Sequence, residues 1–187
     1  MFPCLTVVRR QSLQTGGKSN DMSEGMFVSG VVQERFSDYR KPALMLLAPT
    51  CTWKCCTESG IPPDMCINNH LCSRQQYFLS VEEMWHMYST NPITCALLFG
   101  GLEPMDSVDG VLTMARYFRA RTRDDIVVYT GYTHLECAPN LGPFRELENM
   151  IFKFGRYQPG DRPHVDRVLG VPLASDNQYA IRIGEFD

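Results

Sequence analysis

The chain has 187 residues, of which 44% are hydrophobic and 21% charged, and its formal net charge is −3. These values are typical of one globular domain with a sizeable core, and they exclude a disordered chain. Lysine and arginine are scattered along the sequence rather than clustered in a basic stripe, so we expect no nucleic-acid partner.

The longest apolar run is ALMLLA at residues 43–48. It is far shorter than the roughly 20 residues that a transmembrane helix needs, so we expect no membrane partner. The first residues, MFPCLTVVRRQ, lack the charged region, apolar region and cleavage site of a secretion signal. We therefore expect a cytoplasmic protein, in which the eight cysteines bind metal or take part in chemistry rather than form disulfides.

The predicted elements alternate between strands and helices. Residues 1–40 are predicted to be a leader with a possible short strand, and residues 41–187 to be the main domain. Apolar runs predict buried strands, while a helical spacing of apolar residues and a capping box at Ser80 and Glu83 predict helices. In chain order the elements are a strand at 26–32, a strand at 41–49, a helix at 80–90, a strand at 93–101, a helix at 106–121, a strand at 125–131, a short helix at 144–150, and strands at 151–157 and 177–183.

Strands that alternate with helices at this spacing along the chain predict a sheet of parallel strands joined by right-handed crossovers. In such sheets the ligand usually binds at the carboxyl ends of the strands. A cysteine-rich segment, the string GGLEP and the string TGY follow the first three strands of the domain. We therefore predict that Cys51, Gly101 and Tyr132 lie near one another at this edge of the sheet.

Five of the cysteines lie in the cysteine loop, residues 51–72, CTWKCCTESGIPPDMCINNHLC. Its spacing leaves two kinds of metal centre open. A structural zinc needs four ligands around a tetrahedron, whereas three thiolates on a four-iron cluster leave one iron free to bind a substrate. The candidate zinc ligands are Cys51, Cys55, Cys66 and Cys72, with His70 as a substitute.

The strings that follow the cysteine loop favour the iron–sulfur alternative. They are FGGLEP at 99–104, VVYTGYTHLE at 127–136, KFGRY at 153–157 and LGVPLASDNQYAI at 169–181. Together with the Cys-x3-Cys spacing, they resemble the radical S-adenosylmethionine superfamily, and within it the activating enzymes of anaerobic ribonucleotide reductase. The resemblance spans roughly residues 42–183, in the order found in that family.

The resemblance implies an incomplete (β/α) barrel of mostly parallel strands that binds a [4Fe–4S] cluster and S-adenosylmethionine. The first two cluster ligands of the family match Cys51 and Cys55. The third ligand position of the family is occupied here by Glu58, but the Cys-x-Asn signature of that ligand matches Cys66 in the string CINN. The resemblance therefore implies Cys66 as the third ligand, after an expanded loop.

The resemblance also implies roles for the remaining site residues. Glu103, with Gly100 and Gly101, is expected to bind the amino group of the methionine moiety. The adenosine moiety is expected to lie against Met65, Thr130 and Tyr132.

The activity implied by the resemblance is reductive cleavage of S-adenosylmethionine to a 5′-deoxyadenosyl radical. Its most direct use would be to generate a glycyl radical on anaerobic ribonucleotide reductase, with flavodoxin or ferredoxin as the reductant. Within the superfamily, the alternative is modification of a peptide or a small molecule. Outside it, the alternative is a zinc-stabilised binding module.

Overall fold

The computed structural model describes residues 24–184, so most of the predicted leader lies outside the described residues. Within them the chain forms strands and helices that we number in chain order. The strands are β1 (Gly25–Val28), β2 (Gly30–Arg35), β3 (Ala43–Ala48), β4 (Tyr77–Ser80), β5 (Ala96–Gly101), β6 (Asp125–Tyr129), β7 (Met150–Phe154), β8 (His164–Val165), β9 (Pro172–Leu173) and β10 (Tyr179–Ile183). The helices are α1 (Lys54–Ser59), α2 (Val81–Ser89), α3 (Val108–Arg119) and α4 (His134–Arg145).

Six strands form the central sheet, in the order β10–β7–β6–β5–β3–β2. The pairings β3–β5, β5–β6 and β6–β7 are parallel, whereas β2 and β10 pair antiparallel at the two edges. The prediction of an α/β protein with mostly parallel strands is therefore confirmed. Because β2 and β10 are edge strands, the sheet is open, and the described part of the chain forms no closed barrel.

The central strands are buried on both faces of the sheet, as parallel strands usually are. All six residues of β3 and all six of β5 are buried. Successive side chains point to opposite faces, so Leu46 and Phe99 pack in one core with helices α2, α3 and α4. On the other face, Met45 and Leu98 pack in a second core with Leu169 and its neighbours.

The helices predicted at 80–90 and 106–121 form as α2 and α3. Helix α2 begins with the predicted capping box, in which the Ser80 hydroxyl accepts from the Glu83 amide and the Glu83 carboxylate accepts from the Ser80 amide, both at 3.2 Å. Helix α3 buries Val111, Met114 and Phe118 against the sheet, which is the face that its apolar spacing predicts. Across residues 24–184, no helix is long and apolar enough to span a bilayer.

The prediction of a short helix at 144–150 is wrong. The helix is α4, which begins ten residues earlier, at His134, and the chain from 146 to 149 is a turn into β7. Two prolines inside the helix, Pro139 and Pro143, obscure its pattern in the sequence. A second capping box, formed by Thr133 and Glu136, is the signal that would have located its start.

The predicted strand at 26–32 forms two strands rather than one. Strand β1 pairs antiparallel with β4 in a small separate sheet, whereas β2 joins the central sheet beside β3. Strand β4, which is only four residues long, was not predicted. It lies after the cysteine loop, in the long crossover between β3 and β5, so the cysteine loop starts at the carboxyl end of β3.

Candidate functional site

A cavity of about 620 Å³ lies at the carboxyl ends of the parallel strands. Its wall includes residues that end or directly follow each of these strands: Cys51 after β3, Gly101 in β5, Gly131 after β6 and Gly155 after β7. Because these strands are parallel, their carboxyl ends lie at one edge of the sheet, where ligands of such folds bind. The volume lies within the range of about 300–1,000 Å³ that is usual for small-molecule sites.

The structure brings nearly all of the predicted site residues together in this cavity. Those that line it are Cys51, Cys55, Cys66, Met65, Gly100, Gly101, Glu103 and Thr130. The exception is Tyr132, whose hydroxyl hydrogen-bonds with the Thr52 hydroxyl at 2.8 Å and with the Asp106 carboxylate. Tyr132 therefore braces the start of the cysteine loop from a position beside the cavity.

The first part of the cysteine loop has a strained backbone. Trp53 has a φ of 59°, in the left-handed region that a bulky residue rarely adopts. Its amide donates to the Cys51 sulfur at 3.2 Å, and α1 begins at the next residue, with Cys55 in its first turn. Strain of this kind persists only where the surrounding structure enforces it, and it is common at functional sites.

Burial changes the protonation of the thiols in this cavity. It raises the pKa of Cys51 to about 12, and it also raises the pKa of Cys55, with the charge of the Glu103 carboxylate adding to the effect. Both groups are therefore neutral thiols at neutral pH when no cation is bound to them. A metal cation would displace these protons, because the thiolate is the form of cysteine that binds metal.

Cys66 reaches the same cavity from the second part of the cysteine loop. It follows a short 3₁₀ turn, Pro63–Met65, and its thiol contacts the buried thiol of Cys56. Two residues later, the Asn68 side chain donates to the carbonyl of Gly101 at 2.6 Å. This bond fastens the CINN string to the end of β5 and so keeps Cys66 at the cavity.

The remaining candidate zinc ligands do not join these cysteines. Cys72 is exposed and does not line the cavity. His70 is also exposed, and its Nδ1 atom lies 3.1 Å from the carbonyl oxygen of Ile67. Within residues 24–184, no three His, Cys, Asp or Glu side chains are grouped closely enough to hold a single metal ion.

The two glycines at the end of β5 allow a close approach between β5 and β3. A Cβ atom on Gly100 would lie 2.5 Å from Cε of Met45. Gly101 has a φ of +88°, and a Cβ atom there would lie 3.0 Å from the backbone of Leu47. A larger residue at Gly101 would therefore push the strands apart at the floor of the cavity, whereas one at Gly100 would displace the end of the Met45 side chain.

Glu103 is a buried carboxylate whose oxygens accept hydrogen bonds from the protein. Oε1 accepts from the Thr130 hydroxyl at 2.7 Å and from the Met105 amide at 3.0 Å, and Oε2 accepts from the Gly131 amide at 2.8 Å. Burial raises the pKa of Glu103, and these donors oppose that rise. Thr130 is thus a direct partner of Glu103, and Oε2 retains capacity for a further donor.

Lys153 is a cavity residue that the sequence analysis missed. Its side chain is only 6% exposed, and its ammonium donates to the carbonyl of Gly155 at 2.7 Å and to that of Thr130 at 3.4 Å. No carboxylate among residues 24–184 forms an ion pair with it. Burial lowers the pKa of Lys153 to about 8. A lysine in the apolar strand string IFKF was the available signal, because buried lysines are rare without a partner.

The sequence matches no protein-family model and no curated protein, and the fold matches no solved structure. The chemistry of the cavity is therefore the basis for assigning a function. The cavity combines three half-buried cysteines, the buried Cys56, the buried acid Glu103 and the buried Lys153.

Proposed function

We propose that the chain is a radical S-adenosylmethionine enzyme, and that Cys51, Cys55 and Cys66 hold a [4Fe–4S] cluster. The observation that carries this proposal is the convergence of these three cysteines on one cavity, at the carboxyl ends of the parallel strands. The open, mostly parallel sheet is compatible with the incomplete (β/α) barrel of that superfamily.

The arrangement of the cysteines favours a cluster over a single zinc ion. A zinc ion draws all of its ligands to one atom, whereas the thiolates of a four-iron cluster bind different irons and stand farther apart. Cys72 is exposed and lies outside the cavity lining, so a zinc site built on Cys51, Cys55, Cys66 and Cys72 lacks its fourth ligand there. Three thiolates also leave one iron open for a substrate.

The two buried charges of the cavity fit the methionine moiety of S-adenosylmethionine. That moiety carries an ammonium and a carboxylate. Glu103 supplies an acceptor for the ammonium, and Lys153 supplies a cation for the carboxylate. Each protein charge is costly to bury without a partner, so a zwitterionic ligand that pairs with both offsets that cost. The adenosine moiety would lie toward Met65, Thr130 and Tyr132.

The chemistry that the bound cofactors would supply is reductive cleavage of S-adenosylmethionine to methionine and a 5′-deoxyadenosyl radical, which abstracts a hydrogen atom. The protein would bind and orient the methionine moiety through Glu103 and Lys153, and the apolar wall around Met45 would limit access of water. We propose a glycyl radical enzyme, anaerobic ribonucleotide reductase first, as the substrate, and flavodoxin or ferredoxin as the reductant. A peptide or small-molecule substrate is the alternative.

The first test is the metal and sulfide content of protein purified without oxygen. We expect about four irons and about four sulfides per chain, which is the composition of one cluster. With dithionite and S-adenosylmethionine, this protein should release methionine and 5′-deoxyadenosine. A colourless protein with one zinc and no sulfide would instead identify a zinc-stabilised binding module.

Replacing Gly131 by Ala should remove the cluster. A Cβ atom at Gly131 would lie 2.4 Å from the Cys55 sulfur, which is too close for any real contact, so the new methyl group must displace that thiol. It would also lie 3.4 Å from Oε2 of Glu103. Iron and sulfide analysis after anaerobic reconstitution should show a loss of most of the bound iron.

Gly142→Ala is the matched control for Gly131→Ala. Gly142 lies inside α4, and a Cβ atom there would have nothing within 4 Å. This variant should keep its iron, because the new methyl group displaces no side chain in the cavity. If Gly131→Ala retains as much iron as Gly142→Ala, Cys55 does not hold the cluster in the position described.

A further inference from the structure

The helix that carries Cys55 has little stability of its own. Helix α1 has only six residues, and no side chain caps its amino end. Helices of this length do not persist in water without tertiary contacts. The orientation of Cys55 is therefore set by the contacts that hold α1 against the rest of the protein.

Arg156 is the charged residue that contacts α1 most directly, beside the buried Cys56 and the bond from Ser59 to the carbonyl of Tyr157. Its guanidinium makes two parallel hydrogen bonds of 2.7 Å with the Glu136 carboxylate of α4. Its Nε atom also forms an ion pair of 2.8 Å with Glu58, near the end of α1. A planar, bidentate arrangement of this kind fixes direction as well as distance.

A second contact ties the other end of α1 to the same acid. Lys54 is the first residue of α1. Its Nζ atom lies 3.4 Å from Oε1 of Glu136 and 4.9 Å from the centre of the Tyr132 ring. The Arg156 guanidinium also lies 5.9 Å from that ring. Both ends of the helix thus contact one charge network, whose centre, Arg156, is buried while Lys54 and Glu58 are exposed.

The cation of this network lies beside the cavity. Arg156 is 6% exposed and directly follows Gly155, which lines the cavity together with Cys55. Glu136 in turn neutralises part of this charge, and its own pKa is held well below the usual range by the hydrogen bonds from Arg156. Charges in such partly buried positions interact more strongly than they would in water.

We propose that Arg156 is a positioning residue that aims Cys55 at the bound cluster and raises the reduction potential of that cluster. This inference rests on the proposed function, because it concerns the cluster assigned to the cavity. The acid at position 58, where the related family has its third cysteine, belongs to this network instead of to the metal site.

The test uses two substitutions that change the local charge in opposite directions. Arg156→Met removes a cation beside the cavity and should shift the potential to more negative values, because the reduced cluster carries more negative charge. Glu136→Gln leaves the Arg156 cation without its neutralising partner and should shift the potential to more positive values. A role that is merely structural would not produce opposite shifts. Potentials are read from anaerobic redox titrations followed by electron paramagnetic resonance.

An ion pair at the opposite edge of the sheet supplies matched controls. Arg123 and Glu148 form an exposed pair before β6 and β7, at the amino ends of these strands. Arg123→Met and Glu148→Gln change the net charge by the same amounts and should leave the potential unchanged. Equal shifts in the control pair would mean that overall charge, rather than Arg156, sets the potential.

Arg156→Lys keeps the inference testable if Arg156→Met does not bind a cluster. Lysine retains the charge but cannot make the bidentate pair, so this variant should hold less iron than the wild type at an unchanged potential. If the wild type holds a cluster and neither Arg156→Lys nor Glu136→Gln behaves as expected, the inference is wrong and the proposed function stands. If the wild type holds no iron and sulfide, both are wrong.

Discussion

Replacing Cys51, Cys55 or Cys66 by Ala is expected to abolish both cluster retention and cleavage of S-adenosylmethionine. Each of these thiols faces the cavity and is half-buried, and a cluster with an open iron has no spare protein ligand. The measurements are iron and sulfide per chain after anaerobic reconstitution, and release of 5′-deoxyadenosine. Circular dichroism of each variant shows whether the fold is retained.

Cys72→Ala is the control for this series, and we expect it to leave both properties largely intact. Cys72 belongs to the same loop but is exposed and lies outside the cavity lining. A zinc site built on four cysteines would require Cys72, so metal loss in this variant would support the zinc alternative. If all four substitutions abolish metal binding, a mechanism that needs an open metal position is also excluded.

Cys56→Ala tests whether Cys56, rather than Cys66, is the third ligand. Cys56 is 2% exposed, lines the cavity and contacts Cys66, so the structure brings both thiols to the site. It is adjacent to Cys55 on α1 and is poorly placed to reach a different iron of the same cluster. We therefore expect Cys56→Ala to retain its cluster. Retention in Cys66→Ala together with loss in Cys56→Ala would reverse the assignment.

The parallel sheet could be predicted because its strands are apolar throughout. In β3 and β5 every residue is buried. A short apolar run is readily interpreted as a buried strand once helices with clear periodicity lie on either side of it. Helix α4 was missed because Pro139 and Pro143 interrupt the pattern that defines a helix in sequence. Sequence patterns fail to predict the helix at such positions, because packing against the sheet overrides the low helix propensity of proline.

The candidate site was only partly predictable for a related reason. The cysteines, glycines and Glu103 were found because they form short strings that follow strands. Lys153 and Arg156 were not, because each gains its importance from contacts with distant parts of the chain. Arg156 meets Glu58, 98 residues away in sequence, and no spacing rule links such a pair. The buried environment of Lys153 likewise exists only in the folded protein.

Lys153→Met should stabilise the protein without cofactors and weaken its binding of S-adenosylmethionine. The stabilisation is expected because methionine fills the same space without a buried charge that has no acid partner. A folded-state pKa of about 8 lies below the ordinary value for lysine, so protonation favours the unfolded state. At pH 7 the variant should be more stable by roughly 1–3 kcal/mol, measured by urea unfolding under reducing conditions.

The pH dependence of stability provides an internal check on this charge. In the wild type, the penalty for the buried ammonium is fully present below the folded-state pKa of about 8. It is relieved as the pH rises from there toward the unfolded value of roughly 10.4, so the stability advantage of the methionine variant over the wild type should shrink over that interval. Buried thiols with raised pKa values, such as Cys51, lower the stability of both proteins as the pH rises, and they cancel in this difference. A difference that stays constant with pH would show that the buried ammonium does not titrate in this interval.

The loss of binding should depend on the carboxylate of the ligand. A hydrogen-bonded charge pair contributes roughly 1.5–3 kcal/mol, so Lys153→Met should weaken S-adenosylmethionine binding by about ten- to a hundredfold in calorimetric titrations of cluster-loaded protein. Decarboxylated S-adenosylmethionine lacks the group that Lys153 would bind, so wild type and variant should bind this analogue with similar affinity. If the variant instead loses the same factor for both ligands, Lys153 shapes the cavity without contacting the carboxylate. If it binds S-adenosylmethionine as tightly as the wild type does, the buried ammonium has no part in recognising the methionine moiety.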